Sequence, residues 1–244
     1  MSTTKWPVFT ASGIFQGVRD LGIKSWPKVS DPVAITDYLR DATPDQLKTY
    51  DRFAPKGSVV YHTNPHNGQP FDGFKVDFKP YACVFALIDG MVPVTAEWKH
   101  GNDRITLVPV CGVPGKAEDG CTTLEEKMRA TAIREWNEET GTQLKSLVAL
   151  SGPDGIYSTV RNCRVQCFPF LGEVEDGAVP GATKFDETEQ LQMVMVPLVE
   201  WIKLITTNKL WAQNPDFGLE ACTRDVTWAA LYEMDMLNVG MSVF

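Results

Sequence analysis

The hydrophobic and polar positions change their pattern near residue 75. Before it, segment 31–54 carries two capping residues that are each followed by proline, a pattern typical of helix starts. Segment 55–73 is dense in Gly, Pro and Asn, which predicts a loop. We therefore expect an N-terminal extension containing helix over residues 1–75 and a main domain over residues 76–244.

After residue 75 the pattern becomes that of strands. Two apolar runs flank Asp89–Gly90 within residues 81–98 and predict a β-hairpin. A further strand is expected over residues 104–115, ending in a glycine-rich turn. The remaining strands are predicted at 145–150, 163–171 and 190–196, and the helices at 123–140, 197–205 and 225–237. Strands before and after a central helix predict a mixed α/β sandwich.

The central helix carries an unusual charge pattern in the stretch "REWNEETG". At 100° per residue, Glu135, Glu138 and Glu139 fall within a wedge of about 100°. Like charges at these spacings repel each other by roughly 0.2–0.5 kcal/mol per pair. Arg134 points some 80–100° away from Glu135 on the same helical projection, so we expect that it cannot neutralise all three. A solvated acidic patch is the simplest interpretation, and the missing counter-charge favours a bound cation instead.

Carboxylate oxygens on a helix favour Mg²⁺, or Mn²⁺, over softer metals. The chain has three histidines and six cysteines without a C-x-x-C pair, so a zinc site is not expected. Scattered thiols of this kind are typical of a reducing compartment, and the N-terminal residues do not resemble a signal peptide. We therefore predict a cytoplasmic protein, and no apolar stretch is long enough to predict a membrane span.

The net charge of −8 argues against binding to long nucleic acid, which normally requires a basic face. It leaves room for a local basic pocket that binds a small anion.

The segment 120–142 resembles the box of the Nudix hydrolase superfamily, G-x5-E-x7-R-E-U-x-E-E-x-G-U, in which U is a bulky apolar residue. Its matching positions are Gly120, Glu126, Arg134, Glu135, Trp136, Glu138, Glu139 and Gly141. Thr142 departs from the pattern, because the family usually has an aliphatic residue there and Leu144 would have to fill that space. The turn before the helix also departs, so either Gly120 or Gly115 is the glycine of the box.

The resemblance implies a Nudix α/β/α sandwich with a mixed sheet and hydrolysis of a diphosphate bond. It also implies Glu135 and Glu139 as principal Mg²⁺ ligands, with Glu138 assisting in metal binding and catalysis. Arg134 and Glu126 would orient this cluster by ion pairing.

A weaker similarity points to the branch that hydrolyses ADP-ribose and nucleoside-diphosphate sugars. It rests on "VTAEWKHG" with "VPGK", and on "KFDETEQLQMVMVPLVEWIKL". The second segment implies Glu187 or Glu189 as the carboxylate that activates water. The first implies Trp98, Lys99 and Arg104 as candidate substrate-binding residues, although a strand tryptophan more often packs in a core. The same branch suggests a homodimer formed through the N-terminal extension.

Three functions remain open from the sequence. The first is a Mg²⁺-dependent pyrophosphatase acting on ADP-ribose or a related nucleoside-diphosphate sugar. The second keeps that chemistry with another nucleotide, such as a nucleoside triphosphate, a dinucleoside polyphosphate, NADH or an RNA cap. The third is a sensor of the same fold that binds a nucleotide without hydrolysing it, for which a degenerate site would be expected.

Overall fold

The computed structural model describes residues 6–24, 31, 33–63, 67–99, 103–160, 163–179, 181 and 191–237. Its helices are α1 Ile14–Asp20, α2 Ile35–Asp41, α3 Pro44–Phe53, α4 Leu124–Thr140, α5 Leu198–Thr206, α6 Asn208–Ala212 and α7 Ala221–Glu233. Its strands are β1 Lys56–Thr63, β2 Pro70–Asp77, β3 Tyr81–Ala86, β4 Met91–Lys99, β5 Arg104–Val108, β6 Val110–Gly112, β7 Leu144–Ala149, β8 Ile156–Val160, β9 Cys163–Val174, β10 Leu191–Pro197 and β11 Phe217–Leu219. Two mixed sheets with helices confirm the predicted α/β class. None of the described helices has the length and apolarity that crossing a membrane requires.

The chain forms two compact units, the larger of which contains residues 6–24, 80–156 and 167–237 of the described chain. One of its sheets has the strand order β10-β4-β5-β11, in which β11 runs parallel to β5 and the other neighbours are antiparallel. In its other sheet, β3 pairs parallel with β9 and antiparallel with β6, while β7 pairs antiparallel with β9.

Of the described residues, the smaller unit contains 31, 33–63, 67–79, 157–160 and 163–166. Its α3 begins with a capping box, in which Thr43 and Gln46 bond each other's backbone. The strands β1 and β2 form an antiparallel hairpin over part of segment 55–73, which was wrongly predicted as loop. The consecutive strand formers Val59, Val60 and Tyr61 in β1 outweigh the surrounding Gly and Pro residues. The unit boundaries differ from the single division expected near residue 75, because residues 6–24 belong to the larger unit.

The predicted hairpin around Asp89–Gly90 is half correct. The turn is present, with φ of 50° at Asp89 and 74° at Gly90. The two flanking strands do not pair as a ladder, however, because β3 belongs to one sheet and β4 to the other. The predicted strand 104–115 is divided in the same way at Pro109, between β5 and β6. Proline has no N–H to donate to a ladder, so this position suits a crossing between sheets.

Strand β3 separates two apolar clusters by its alternation. Ala82, Val84 and Ala86 pack with the buried face of α4, whereas Cys83 and Phe85 pack with a second cluster that includes residues of α7. Helix α4 lies against both β3 and β6. This packing fixes the helix that carries the glutamates beside the short strand β6.

Candidate functional site

Helix α4 begins and ends at the residues that its sequence predicts. The Thr123 hydroxyl accepts a hydrogen bond from the Glu126 N–H at 3.1 Å, and the Glu126 carboxylate accepts one from the Thr123 N–H at 3.1 Å. This reciprocal capping box satisfies donors that the first turn would otherwise leave unbonded. At the other end Gly141 adopts a φ of 64°, which favours glycine.

The C-terminal end of α4 is held by polar contacts in the core. The Trp136 indole N–H donates to the Thr142 hydroxyl at 2.9 Å, and the hydroxyls of Thr140 and Thr142 are 2.8 Å apart. Thr142 is 4% exposed, so it occupies a buried position despite its polarity. Leu144 packs partly buried against the same cluster. The threonine that departs from the family pattern therefore supplies the acceptor that the buried indole requires.

Arg134 is the centre of a network of carboxylates. Its guanidinium donates to Glu118 Oε1 at 2.7 Å, to Glu138 Oε2 at 2.7 Å and to Glu135 Oε1 at 2.8 Å. It also donates to the backbone carbonyl of Val113 at 3.0 Å. These bonds agree with the expectation that Arg134 cannot neutralise all three helix glutamates, because they reach only Glu135 and Glu138. Its side chain is long enough to reach two of the three, although it cannot balance them all.

The acidic partner expected for Arg134 needs correction. Glu126 is exposed and accepts hydrogen bonds from Thr122 and Thr123, and these bonds hold its pKa below the ordinary value. The residue that pairs with Arg134 is Glu118, in the short 3₁₀ helix Lys116–Glu118, and it is 3% exposed. Burial raises the pKa of Glu118. Its hydrogen bonds to Arg134 and to the Gly115 N–H lower the pKa by a larger amount, so the net shift is downward. Glu118 is therefore a buried carboxylate that is kept ionised.

The glycines around the turn have different environments. A Cβ at Gly112 would lie 2.0 Å from the Glu135 carboxyl carbon, so only glycine lets Glu135 approach β6. The Gly115 N–H donates to Glu118 at 2.6 Å, and a Cβ there would lie 3.9 Å from the Arg134 guanidinium. No atom lies within 4 Å of a Cβ built on Gly120. Of the two glycines proposed for the box, Gly115 is the one beside the network.

The three helix glutamates differ in exposure. The side chains of Glu135 and Glu138 are 17% and 40% exposed, whereas Glu139 is 7% exposed. Together with Glu118 they give four carboxylates beside the one guanidinium of Arg134 in this patch as the described residues form it, so acidic groups outnumber basic ones. Such an excess in a partly buried patch favours a cation.

This patch suits a hard divalent cation, because all the side-chain oxygens that could bind a metal belong to carboxylates. In the described part of the chain, no three Cys, His, Asp or Glu side chains already stand in a metal-holding arrangement. Arg134 contacts one oxygen each of Glu135 and Glu138.

The three candidate substrate-binding residues have different surroundings. Trp98 is 7% exposed and packs in the core, which corrects its expected role in stacking. Lys99 lies 2.5 Å from Glu97 and directly opposite Arg104 in the β4–β5 ladder. Burial lowers the pKa of Lys99, but Glu97 and Glu220 raise it by more. Lys99 is therefore a stable cation, whereas Arg104 is exposed at the start of β5.

The expected water-activating residues, Glu187 and Glu189, lie outside the described residues. Four residues of the described site were not predicted as members of it: Glu97, Gly112, Glu118 and Glu220. The motif "GKAEDG" contains Glu118, but the sequence does not indicate that the turn folds it back onto Arg134. Gly112 stands in "VCGVPG", where any of the turn glycines could have been the one in contact.

The sequence matches no protein-family model and no curated protein. The fold, in contrast, matches many solved chains. One of these is described as "Crystal structure of ADP compounds hydrolase"; the match has a TM-score of 0.56 and 16% identity, and it covers 88% of this chain and 97% of that chain. The larger part of the chain therefore shares the fold of a hydrolase of ADP compounds.

Proposed function

We propose that this protein is a pyrophosphatase of the Nudix type that hydrolyses the diphosphate bond of an ADP compound. The observation that carries the proposal is the carboxylate network of α4, in which Arg134 joins Glu118, Glu135 and Glu138. Its support is the fold shared with an ADP compounds hydrolase. Within this class we favour ADP-ribose or a related nucleoside-diphosphate sugar, from the branch resemblance of residues 94–116 and 184–204.

In this proposal Glu135 and Glu139 hold Mg²⁺, with Glu138 as a further ligand. The chemistry that a bound Mg²⁺ supplies is neutralisation of the diphosphate and a lower pKa for bound water. Arg134 keeps the carboxylates of Glu135 and Glu138 beside each other, and Glu118 holds Arg134 in turn. Phosphoryl chemistry needs mainly this positioning and charge compensation, with a carboxylate to accept the proton of the attacking water. Glu187 and Glu189 are the proposed candidates for that last role.

Lys99 and Arg104 are the cations proposed to meet the substrate's phosphates. They lie opposite each other across the β4–β5 ladder. Lys99 is already paired with Glu97, so a phosphate would have to compete with that carboxylate. Arg104 at the strand end is the more accessible of the two.

The test is a panel of nucleotides incubated with Mg²⁺ and assayed for phosphate-containing products. The panel contains ADP-ribose, a UDP-sugar, NADH, a dinucleoside polyphosphate and ATP. Each is run with the wild type, with Glu139→Gln and with Glu125→Gln, a matched control in the first turn of the same helix. Activity on ADP-ribose that Glu139→Gln abolishes and Glu125→Gln retains is the expected result.

Two results would contradict parts of the proposal. If another panel member alone is hydrolysed, the proposed substrate is wrong and the proposed reaction stands. If no member is hydrolysed but a nucleotide still binds, the protein is a nucleotide sensor and the proposed enzyme activity is wrong. A titration of thermal stability with Mg²⁺ tests the cation site separately, because a ligand of the native state raises stability by RT ln(1 + [L]/Kd).

A further inference from the structure

The chain that follows β9 returns to the C-terminal end of α4. The Glu175 N–H donates to the Gln143 carbonyl at 3.4 Å, which continues the contact of β9 with β7 by one residue. A turn follows, in which the Ala178 N–H donates to the Glu175 carbonyl at 3.1 Å. The Gly181 N–H then donates to the carbonyl of Thr140, in the last turn of α4, at 3.0 Å. Gly181 is thereby held against the helix that carries the glutamates.

Two glycines make this close approach possible. A Cβ at Gly141 would lie 2.6 Å from the Gly181 Cα, and a Cβ at Gly181 would lie 2.9 Å from the Gly141 carbonyl oxygen. Both contacts are with backbone atoms, which cannot rotate away as the end of a side chain can. Gly141 has a φ of 64°, whereas the φ of Gly181 lies outside the left-handed region. Position 181 therefore requires glycine for reasons of space and not of backbone conformation.

The helix is the fixed side of this contact. Thr140 is fully buried, and its hydroxyl donates to the Trp136 carbonyl at 2.6 Å. The buried Trp136 indole is held in turn by the Thr142 hydroxyl at 2.9 Å. Gly181, in contrast, is only half-buried. Since a packed core resists deformation, a larger residue at position 181 would displace the chain there and leave the end of α4 in place.

Gly181 is the point from which the chain enters segment 182–190, which contains Glu187 and Glu189. The far end of the segment is also fixed, because Leu191 is buried and stands opposite Glu97 in the β10–β4 ladder. Glu187 follows Gly181 by six positions, and a chain extends by at most about 3.6 Å per residue. The place of Gly181 therefore limits where the Glu187 carboxylate can lie.

We propose that Gly181 is a positioning residue for hydrolysis, which starts segment 182–190 beside the last turn of α4 so that Glu187 or Glu189 meets the α4 carboxylates. The inference rests on the proposed function. A positioned proton acceptor contributes about 10²–10⁴-fold to a rate, and a displacement of about 1 Å can cost about 100-fold. Displacing the start of the segment therefore slows the chemical step and leaves the binding of substrate and Mg²⁺ as it was.

The test measures kcat, the KM for ADP-ribose and the Mg²⁺ dependence of the rate in Gly181→Ala. The added methyl group meets the Gly141 carbonyl oxygen. We expect kcat to fall by about 10-fold or more, with KM and the Mg²⁺ dependence near their wild-type values. Gly152→Ala is the matched control, because no atom lies within 4 Å of a Cβ at Gly152 and its φ is also outside the left-handed region. It should retain the wild-type kcat.

A double-mutant cycle separates positioning from a general loss of structure. Gly181→Ala is combined with Glu187→Gln and, separately, with Glu189→Gln. Effects that act through one group are not additive, whereas independent effects are. In one of the two combinations, Gly181→Ala should therefore cause no further fall in kcat, and that combination identifies the glutamate that activates water.

An unchanged kcat in Gly181→Ala, or a fall that is the same in both combinations as in the wild-type background, would overturn the proposal. A wild type that hydrolyses no nucleotide would instead contradict the proposed function, and this role of Gly181 with it. If Gly181→Ala does not fold, amide hydrogen exchange of the wild type decides. Protection of the Gly181 N–H supports its contact with α4, and exchange at the rate of an unstructured peptide overturns it.

Discussion

The guanidinium of Arg134 donates through Nε to Oε1 of Glu118, at 2.7 Å and 16 residues away along the chain. Glu118 is 3% exposed, and its other oxygen accepts the Gly115 N–H at 2.6 Å. The turn before α4 is thereby tied to the residue that holds Glu135 and Glu138. A substitution of Glu118 is therefore expected to shift Arg134 and, through it, the carboxylates of the proposed cation site.

The first prediction concerns Glu118→Gln. The amide keeps the shape but loses the charge, and its NH₂ group faces either the guanidinium or the Gly115 N–H, which are both donors. We expect a loss of about 1–3 kcal/mol in the free energy of unfolding, the cost of an unsatisfied buried polar group. We also expect reduced hydrolysis, because Arg134 loses its main anchor. Urea denaturation and initial rates with ADP-ribose measure the two effects.

The control for this prediction is Glu126→Gln, which changes an exposed glutamate in the first turn of α4. It should weaken only the N-terminal cap of α4 and leave the rate of hydrolysis near that of the wild type. Equal loss of activity in both variants would mean that Glu118 has no special role in holding Arg134.

Gly112→Ala is predicted to displace Glu135. The added methyl group would lie 2.0 Å from the Glu135 carboxyl carbon, so the side chain or the strand has to move. We expect weaker Mg²⁺ binding and slower hydrolysis, measured by a Mg²⁺ titration of the initial rate. Gly120→Ala is the matched control, since its methyl group would have no neighbour within 4 Å. A normal Mg²⁺ dependence in Gly112→Ala would contradict the prediction that the contact with Gly112 sets the position in which Glu135 binds the cation.

The sequence predicted local features of the site well. The capping pair Thr123 and Glu126 and the terminal Gly141 define α4, because helix ends depend on groups a few residues apart. The spacing of Glu135, Glu138 and Glu139 placed them on one side of that helix for the same reason.

The features that the sequence did not predict depend on distant parts of the chain. The pairing of Arg134 with Glu118 requires the turn at residues 113–120 to fold back onto the helix. The separation of β3 from β4 into different sheets requires other strands to compete for each edge, so the turn at Asp89–Gly90 did not reveal it.

Thr142→Val is predicted to destabilise the fold without acting on the cation site. Valine has almost the same shape, but the Trp136 indole N–H loses its acceptor at 2.9 Å. A buried donor left without a partner costs about 1–3 kcal/mol. In Trp136→Phe the donor is absent, so adding Thr142→Val should then cost much less. A double-mutant cycle by thermal or chemical denaturation measures the coupling, and a coupling of zero would contradict the assignment.

The raised pKa of Glu220 predicts that the free energy of unfolding depends on pH. Burial, with the charges of Cys222 and Glu97, raises its pKa to about 7 against the opposing effect of Lys99. The folded protein therefore keeps a proton that the unfolded chain releases near pH 4.5. The proton on Glu220 therefore adds to the free energy of unfolding, by at most about 3 kcal/mol for a shift of this size. This stabilisation is fully present below pH 4.5 and is lost as the pH rises through about 7. Glu220→Gln stays neutral, so its stability relative to the wild type should increase across this range. Glu233→Gln, an exposed change on the same helix, should retain the wild-type slope; equal slopes in all three proteins would mean that Glu220 ionises normally in the fold.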